Sequence, residues 1–364
     1  MAPEAALRRA LALAEQARGR TSPNPLVGCV IVRRGQVVGE GFHAAAGGPH
    51  AERVALAAAG QAARGATLYC TLEPCRHHGR TPPCTEAIIA AGVGRVVYGL
   101  DDPDPRVAGG GAADLRAAGL KVQGGLLAAE VAAQLEAYLH HRRSGRPLVI
   151  AKWAMTLDGK LATAGGDSRW VSGPEARARV HALRDRVDAV LVGSGTILAD
   201  DPSLTCRLAD FGPVERPPRN PLRVVLDTAG VTPASARVFT DGAAPTLLAV
   251  GADHGPRRRP GAEVLALPER DGHVDPAALL DELGRRGVVE LLCESGGGLT
   301  GALLRANLVQ RVLAVIAPKL VGGGGPTPWD GPGVQTMAEA LTLLDPQTER
   351  LGPDILVSGR LGKT

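Results

Sequence analysis

Short apolar runs alternate with amphipathic stretches along most of the 364-residue chain, and this alternation limits the fold more than any other feature. Runs such as ATLYCTL, RVVYGL, DAVLVG and VVELLC are typical of buried strands, and helical spacing follows them. Strands that alternate with helices form α/β layers. A polar interruption containing Gly and Pro, at Ser144 to Pro147, separates two such series. We therefore expect an α/β protein of two domains, 1–145 and 146–364.

The same patterns predict individual elements that position the motifs discussed below. In the first half we expect a helix over residues 4–18, two strands joined by a turn at Arg33 to Gln36, and one long helix from Leu127 to the basic cluster at 142–143. A strand should run to Cys75, and a helix should open on Cys84. In the second half, helices are expected after Gly173, Pro276 and Leu299.

Charge and composition exclude several classes of partner. The formal net charge is +4, the arginines are dispersed among acids, and aromatic residues make up 2% of the chain, so a nucleic-acid surface is not indicated. The charge gives weak support for an anionic small-molecule ligand. No apolar run reaches the roughly 18 to 20 residues that a membrane span needs. Six cysteines in a long chain without a signal peptide predict reduced thiols and a cytoplasmic protein.

The stretch LEPCRHHGRTPPC, residues 72–84, concentrates soft metal ligands, and PHAE lies upstream of it. His50, Cys75 and Cys84 supply one imidazole and two thiolates, a set that suits Zn²⁺ and leaves the fourth tetrahedral position for water. Glu52 is placed to carry a proton between that water and a substrate nitrogen. The pattern matches the zinc nucleoside deaminase signature except that eight residues, rather than two, separate the cysteines. One zinc ion per chain is expected.

A structural zinc site is the alternative, with His77 or His78 as a fourth protein ligand, although Glu52 would then have no role. The remaining cysteines lie in or beside apolar strand patterns and are expected to be small core residues. They are Cys29, Cys70, Cys206 and Cys293.

The segment GGGLTG, residues 296–301, follows an apolar strand and precedes a helical pattern. Glycines in that context let backbone amides approach a phosphate at a helix N-terminus. No acidic residue occurs between Glu294 and Asp330, so the carboxylate that holds a free ribose 2′-hydroxyl in Rossmann folds is missing. We expect a phosphate-binding turn that accepts a 2′-phosphorylated cofactor, with a Cβ at Gly297 standing where phosphate must approach. A turn that only packs tightly is the alternative.

The whole chain resembles the bifunctional riboflavin-biosynthesis deaminase-reductase family, which has a long spacer between the cysteines. The matching stretches are TSPNPLVGCVIV, HAE, EPCRHHGRTPPC, AKWAMTLDGKLAT, DSRWVSG, GSGTILADDPSLTCR, LDT and ESGGGLTGALL. This resemblance implies a cytidine-deaminase-like three-layer α/β/α domain followed by a dihydrofolate-reductase-like α/β domain. It implies that zinc is bound by His50, Cys75 and Cys84, with Glu52 as general acid and base.

The resemblance also implies residues that contact the substrates and the cofactor. In the first domain the substrate pocket would include Asn24, His43, His77 and Arg80. In the second domain, substrate contacts would be Ser168, Arg184, Leu204, Arg207 and Glu294. NADPH would contact Ala154, Trp170, Thr196, Asp200, Thr228, Gly296, Gly297, Gly298, Leu299, Thr300, Gly301 and Ala302. Arg184 as a surface charge remains an alternative, and Lys152 and Asp200 are candidates for the acid in the reduction.

The activity implied is zinc-dependent deamination of a pyrimidine ribosyl phosphate, followed by NADPH reduction of the ribosyl group to ribityl. A homo-oligomer formed through the reductase domain would be compatible with this family. Two alternatives stay open at the level of the sequence: a nucleic-acid base deaminase with an unrelated reductase-like appendage, and a nucleotide-sensing module on a closed zinc scaffold. The long cysteine spacer and the scarcity of stacking aromatics argue against the first of these.

Overall fold

The computed structural model describes residues 1–78, 82–254 and 259–362, and the chain divides into two compact units, Met1–Gly145 and Arg146–Thr364. The elements of the first unit, in chain order, are α1 (Pro3–Glu15), β1 (Gly28–Arg33), β2 (Gln36–Phe42), α2 (Ala51–Ala59), a 3-10 turn (Gly60–Ala63), β3 (Thr67–Leu72), α3 (Cys84–Ala90), β4 (Arg95–Leu100), α4 (Gly110–Ala117), β5 (Lys121–Gln123), α5 (Ala128–Gln134) and α6 (Glu136–Ser144).

The first unit contains a sheet with the strand order β2-β1-β3-β4-β5 among the described residues. β1 is antiparallel to both β2 and β3, whereas β3, β4 and β5 are parallel to one another. Arg34 and Gly35 between β1 and β2 have φ values of 49° and 79°, as a tight hairpin turn requires. The two strands and the turn expected here are therefore confirmed.

Helices cover both faces of this sheet. On one face, Leu7 of α1 and Leu135 beside α6 pack with Val30 and Val97 of the strands. On the other face, Ala55 of α2, Ile88 of α3 and Leu115 of α4 form a separate buried cluster. Small side chains let the layers approach closely: a Cβ on Gly28 would lie within 1.9 Å of the Ala10 carbonyl oxygen. Alanine and glycine thus build a close-packed core with few aromatic residues.

The second unit is also built from alternating strands and helices, and it contains more of them. Its elements are β6 (Leu148–Thr156), α7 (Pro174–Arg184), β7 (Ala189–Gly193), α8 (Ser194–Asp200), a 3-10 turn (Leu208–Phe211), β8 (Leu222–Leu226), α9 (Arg237–Thr240), β9 (Thr246–Gly251), a 3-10 turn (Ala252–His254), β10 (Glu263–Leu267), β11 (Glu269–Arg270), β12 (His273–Val274), α10 (Pro276–Arg285), β13 (Glu290–Cys293), α11 (Gly297–Arg305), β14 (Arg311–Ala317), a 3-10 turn (Met337–Glu339), β15 (Thr342–Leu351) and β16 (Asp354–Gly362).

The large sheet of this unit has the order β10-β9-β8-β7-β13-β6-β14-β16-β15 within the described ranges. Every pair from β10 to β14 is parallel, and β16 is antiparallel to both β14 and β15. The carboxyl ends of the parallel strands therefore lie along one edge of the sheet, where ligands bind in open α/β sheets. Leu291, Leu279 and Leu303 belong to the buried core beneath that edge.

Four expectations need correction. The helix expected from Leu127 is broken, since α5 ends at Gln134 and α6 begins at Glu136. The strand expected to end at Cys75 ends at Leu72, so Cys75 lies in the following loop. α11 begins at Gly297 rather than after Leu299, which places Gly297 and Gly298 in its first turn. Cys206 lies outside the described strands, whereas Cys29, Cys70 and Cys293 are buried strand residues as expected.

The helices beginning at Pro174, Pro276 and Cys84 confirm three further expectations. Across the described parts of the chain, none of the helices combines the length and the apolar character that a bilayer crossing demands.

Arg223, on β8, is the largest side chain with almost no exposure in the described residues, at 1%. Its guanidinium donates to both carboxylate oxygens of Asp241 at 2.7 and 2.9 Å. It also donates to the Thr246 hydroxyl, the Ser203 carbonyl and the Ala244 carbonyl. A buried charge is tolerated only with such partners, and removing one member of the pair leaves the other uncompensated.

We predict that Arg223→Leu lowers the free energy of unfolding of the second unit by about 3–5 kcal/mol, because Asp241 loses its counter-ion. The control is Arg179→Leu, since Arg179 pairs with Glu349 at the surface and should contribute less than about 1 kcal/mol. Urea denaturation followed by tryptophan fluorescence measures this unit alone, because Trp153, Trp170 and Trp329 all belong to it. Equal losses in both variants would contradict the interpretation of Arg223.

Candidate active sites

Three potential metal ligands of the first unit converge. His50 precedes the first residue of α2, Cys75 follows β3, and Cys84 is the first residue of α3. The His50 Nδ1 atom lies 3.4 Å from Cys75 Sγ and 3.3 Å from Cys84 Sγ, and all three atoms lie within 4.8 Å of one another. This donor set and spacing fit a tetrahedral zinc ion with three protein ligands.

The surroundings of the sulfur atoms favour thiolate at Cys75. The thiol of Cys84 is the main cause that lowers the pKa of the Cys75 thiol, and His50 lowers it further despite burial. The Cys84 backbone N–H, at the start of α3, also donates to Cys75 Sγ at 3.4 Å. Helix N-termini stabilise negative charge in this way. Thiolate is the form that coordinates a metal, so the residues present fit zinc.

Glu52 lies in the first turn of α2 and is 3% exposed. Burial, and then the charge of Cys75, raise the pKa of Glu52 to about 6. A carboxyl group with a pKa close to neutral can both accept and return a proton. Glu52 is therefore suited to proton transfer beside the three ligands.

No fourth protein ligand joins the cluster among the described residues. The exposed ring of His78 instead contacts Glu86, with 3.2 Å between Nε2 and Oε1. His77 Nδ1 is buried without a hydrogen-bond partner in the described part of the chain. Arg80, expected in the substrate pocket, lies outside the described residues. The closed four-ligand alternative gains no support from His77 or His78.

Asn24 and His43 lie together beside the metal ligands. The His43 ring is buried and packs edge-on against the His50 ring, with 5.4 Å between centroids. Its Nδ1 atom is 3.0 Å from the Pro49 carbonyl oxygen and must donate there, because a carbonyl oxygen only accepts. Its Nε2 atom then accepts from the Asn24 amide at 3.1 Å. Burial lowers the pKa of His43, which favours this neutral ring.

In the second unit a cavity of about 1780 Å³ lies along the carboxyl ends of the parallel strands. It is lined by most of the residues expected to contact substrate or cofactor: Ala154, Ser168, Trp170, Arg184, Thr196, Asp200, Leu204, Arg207, Thr228, Glu294, Gly296, Gly297, Gly298, Leu299 and Ala302. Thr300 and Gly301 are not in its wall. Thr300 is buried with its hydroxyl donating to the Ser295 carbonyl, and Gly301 packs under Asp330 and Trp329.

The glycine turn contains two kinds of glycine. A Cβ at Gly296 or Gly298 would meet nothing within 4 Å, so the space on the Cβ side of these residues is open at the start of α11. A Cβ at Gly297 would lie 2.4 Å from the Thr327 carbonyl oxygen and 2.7 Å from Asp330 Cγ. Our expectation for Gly297 was therefore wrong in its cause, because that position is closed by a neighbouring loop. Open amides at a helix N-terminus fit a dinucleotide pyrophosphate.

The position of Asp330 corrects the expectation that no carboxylate lies near the glycine turn. Although it is distant in sequence, it lies beside Gly297 and lines the cavity. Arg305 lines the cavity and donates to the Asp330 carbonyl at 2.8 Å. A carboxylate is thus present near the turn, and the absence of acids after Glu294 in the sequence does not by itself select a 2′-phosphorylated cofactor.

Arg184 and Glu294 form a buried ion pair in the cavity wall. The guanidinium donates to both carboxylate oxygens, at 2.6 and 3.2 Å, and to the Thr205 carbonyl at 3.0 Å. Lys152 Nζ lies 3.7 Å from Glu294 Oε2. Burial alone would raise the pKa of Glu294, yet Arg184 and Lys152 lower it to about 2. Arg184 as a solvated surface charge is therefore wrong, since its side chain is 12% exposed.

Other expected contacts are more accessible. The Trp170 indole is 61% exposed, and the Arg177 guanidinium lies 4.5 Å from its ring centroid. The Thr228 hydroxyl accepts from the Val274 N–H at 3.1 Å, and the Arg207 side chain is 48% exposed. Sequence reasoning missed Ser194, Ser295 and the β11–β12 hairpin in the cavity wall. The GSG segment after β7 and the Asp271-Gly272 turn of the hairpin were usable signals, since Asp-Gly favours a two-residue hairpin turn.

Comparison with known families accounts for both units. Residues 2–100 match the cytidine and deoxycytidylate deaminase zinc-binding region, and residues 147–357 match the RibD C-terminal domain. The riboflavin biosynthesis protein RibD of Escherichia coli is 41% identical over 362 residues, covering 98% of each protein. The same-named protein of Actinobacillus pleuropneumoniae is 43% identical over 357 residues, covering 96% of this chain and 93% of that protein.

Solved structures resemble this chain over nearly its full length. A diaminohydroxyphosphoribosylaminopyrimidine deaminase/5-amino-6-(5-phosphoribosylamino)uracil reductase from Thermotoga maritima superposes with a TM-score of 0.87 at 36% identity, covering 99% of both chains. RibD of Acinetobacter baumannii gives a TM-score of 0.88 at 34% identity, with the same coverage. The cytidine-deaminase-like and reductase fold classes are confirmed. Because both halves have relatives in one chain, the alternative of an unrelated appendage is wrong.

These matches also confirm the expected activity and cofactors. The chain is a bifunctional enzyme of riboflavin biosynthesis that deaminates and then reduces a small-molecule substrate, with Zn²⁺ and NADPH as its cofactors. It belongs to the RibD family of riboflavin biosynthesis proteins.

Proposed function

We propose that residues 1–145 deaminate 2,5-diamino-6-ribosylamino-4(3H)-pyrimidinone 5′-phosphate, and that residues 146–364 reduce its ribosyl group to give 5-amino-6-ribitylamino-uracil 5′-phosphate. The observation that carries the first assignment is the three-ligand cluster with buried Glu52 beside it. A cluster with three protein ligands leaves a coordination position for a reactant. The names of the full-length relatives support this choice of substrate.

In the deaminase site, His50, Cys75 and Cys84 would hold zinc, which supplies a Lewis acid that activates water for attack on the amine-bearing ring carbon. Glu52 accepts the proton that water gives up and returns it to the departing amino group, so that ammonia leaves. Asn24, His43, His77 and Arg80 would bind the substrate. The Asn24 amide nitrogen is held by His43, which leaves its oxygen to accept a hydrogen bond from the substrate.

In the reductase site, bound NADPH would supply the hydride that reduces C1′ of the ribosyl group in its open-chain imine form. The open amides at Gly296 and Gly298 would bind the pyrophosphate, and exposed Trp170 would contact the cofactor. Lys152 and Glu294 form an ion pair in the cavity wall, with 3.7 Å between Nζ and Oε2. Burial lowers the pKa of Lys152 although Glu294 opposes this. We therefore favour Lys152 over Asp200 as the proton donor, because Asp200 lines the cavity without such a partner among the described contacts.

We propose further that the protein acts in the cytoplasm and forms a homo-oligomer through its reductase unit. None of its six cysteines, all within the described ranges, forms a disulfide, and free thiols are typical of proteins in a reducing compartment. β15 is an edge strand whose residues are mostly exposed, and Ile355 on the adjacent strand is 47% exposed. Such an edge is a template for pairing with another strand. Light scattering of the full chain should give a mass above 37.4 kDa if this proposal is correct.

Glu52→Gln should retain zinc and fold but lose deamination by about 100- to 10,000-fold, because an amide keeps the shape and cannot accept the proton. Ammonia release from the diaminopyrimidinone phosphate measures the effect. As a control, the same protein should still oxidise NADPH when the deaminated intermediate is supplied directly. Near-normal ammonia release would remove Glu52 from the mechanism.

Gly298→Val should weaken NADPH binding by about 10- to 100-fold, because its methyl groups would occupy open space over amides that bind phosphate. Gly333→Val is the matched control, since a Cβ there also meets nothing within 4 Å but lies outside the cavity wall. Calorimetric titration with NADP⁺ measures affinity directly. If both variants bind the cofactor as the parent protein does, the turn does not bind the pyrophosphate.

A further inference from the structure

A buried glutamate two residues before the proposed metal ligand Cys75 has no part in the mechanism above. Glu73 follows β3, is 3% exposed, and is separated from Cys75 only by Pro74. Its carboxylate contacts the chain segment 102–114, which comprises the loop after β4 and the first half of α4. A buried carboxyl group is costly unless it is fully hydrogen-bonded, so its surroundings call for an explanation.

Both carboxylate oxygens of Glu73 accept hydrogen bonds from backbone N–H groups. Oε2 accepts from Gly109 at 2.9 Å and from Asp102 at 3.4 Å, and Oε1 accepts from Ala112 at 2.9 Å. Three backbone donors on two oxygens satisfy the hydrogen-bonding capacity of this buried group without any side-chain partner. Glu73 thereby ties the 102–114 segment to the end of β3.

The residues on either side of Cys75 contact the same segment. A Cβ on Gly111 would lie 2.0 Å from the Pro74 carbonyl oxygen, so the segment touches the peptide bond that leads into Cys75. On the far side, Arg76 Nε lies 3.1 Å from Asp114 Oδ2. Cys75 is therefore flanked by Glu73 and Pro74 before it and Arg76 after it, each in contact with residues 102–114.

We propose that Glu73 is a positioning residue that fixes Cys75 for zinc binding by anchoring the 102–114 segment against the ligand loop. Metal affinity depends on how well the ligands are held before the ion binds, and groups that orient ligands typically change affinity by about 10- to 100-fold. This inference rests on the proposed ligand set of His50, Cys75 and Cys84. It concerns how Cys75, one of these ligands, is held in place.

The experiment compares two glutamates with the same distance in sequence from a ligand. Glu73→Gln leaves one amide nitrogen facing a backbone donor and should lower zinc affinity about tenfold. Glu86→Gln makes the same change two residues after Cys84, where the side chain is exposed and contacts His78, and should leave the affinity unchanged. Competition between the full-length zinc protein and a chromophoric chelator measures affinity, with near-ultraviolet circular dichroism as the check on folding.

Cobalt substitution supplies a second readout that general destabilisation would not move. The visible spectrum of Co²⁺ bound to Glu73→Gln should differ from that of the parent protein, because it reports the geometry of the ligands. Unchanged zinc affinity and an unchanged spectrum in folded Glu73→Gln would overturn the proposal. If that variant does not fold, Gly111→Ala decides, since its Cβ would lie 2.0 Å from the Pro74 carbonyl oxygen and 3.4 Å from Glu73 Oε1, and so disturbs the same anchor while the Glu73 side chain is kept. Normal affinity in Gly111→Ala would then overturn it.

Cys75→Ser, measured in parallel, tests the ligand set separately from the positioning role of Glu73. Loss of zinc from Cys75→Ser together with normal affinity in Glu73→Gln would refute the positioning role and leave the ligand set standing. Retention of zinc by Cys75→Ser would refute the ligand set itself, and the positioning role with it.

Discussion

The chemistry of both units depends on one geometric constraint, the meeting of parallel strand ends with helix N-termini. Backbone N–H groups at a helix start have no partner within the helix, and they favour negative charge. In the first unit this geometry gives Cys75 after β3 and Cys84 at the start of α3. In the second it gives Glu294 after β13 and Gly297 at the start of α11. The thiolate ligands and the cofactor phosphate that we propose for the two units would thus occupy the same kind of location.

Much of the fold could be predicted because its strands are buried and its helices amphipathic, so local periodicity carries the information. The errors occur where tertiary contacts override that pattern. The sequence from Leu127 reads as a continuous helix, and the interruption at Leu135 is not visible in it, because Leu135 keeps the helical spacing of the buried residues Val131 and Leu139. β15 was not predicted, because an exposed edge strand with the sequence TLLDPQTERL has no apolar alternation to recognise.

The candidate sites show the same difference between local sequence signals and contacts that join distant residues. The metal ligands could be found because residue type and spacing are local signals, and folding brings the motif together as a unit. The ion pair of Arg184 with Glu294 joins residues 110 positions apart, and nothing in either local sequence announces it. The same holds for Asp330, which closes the space beside Gly297 from a distant loop. Sequence patterns therefore identify the residues of one motif more readily than the distant residues that neutralise their charge or pack against them.

Three buried glutamates show how surroundings decide what one side chain does. Glu52 is enclosed beside a negatively charged sulfur, and its pKa rises to about 6, so it can exchange protons. Glu294 lines the cavity with a side chain that is 10% exposed, and Arg184 and Lys152 lower its pKa to about 2, so it remains a charged partner for cations. Glu73 contacts three backbone N–H groups and anchors a chain segment. Glu52 and Glu73 each lie two residues from a proposed metal ligand, so residue type and position in the sequence alone could not separate the proposed proton carrier from the proposed anchor. The number and kind of hydrogen-bond donors around each carboxylate make that distinction.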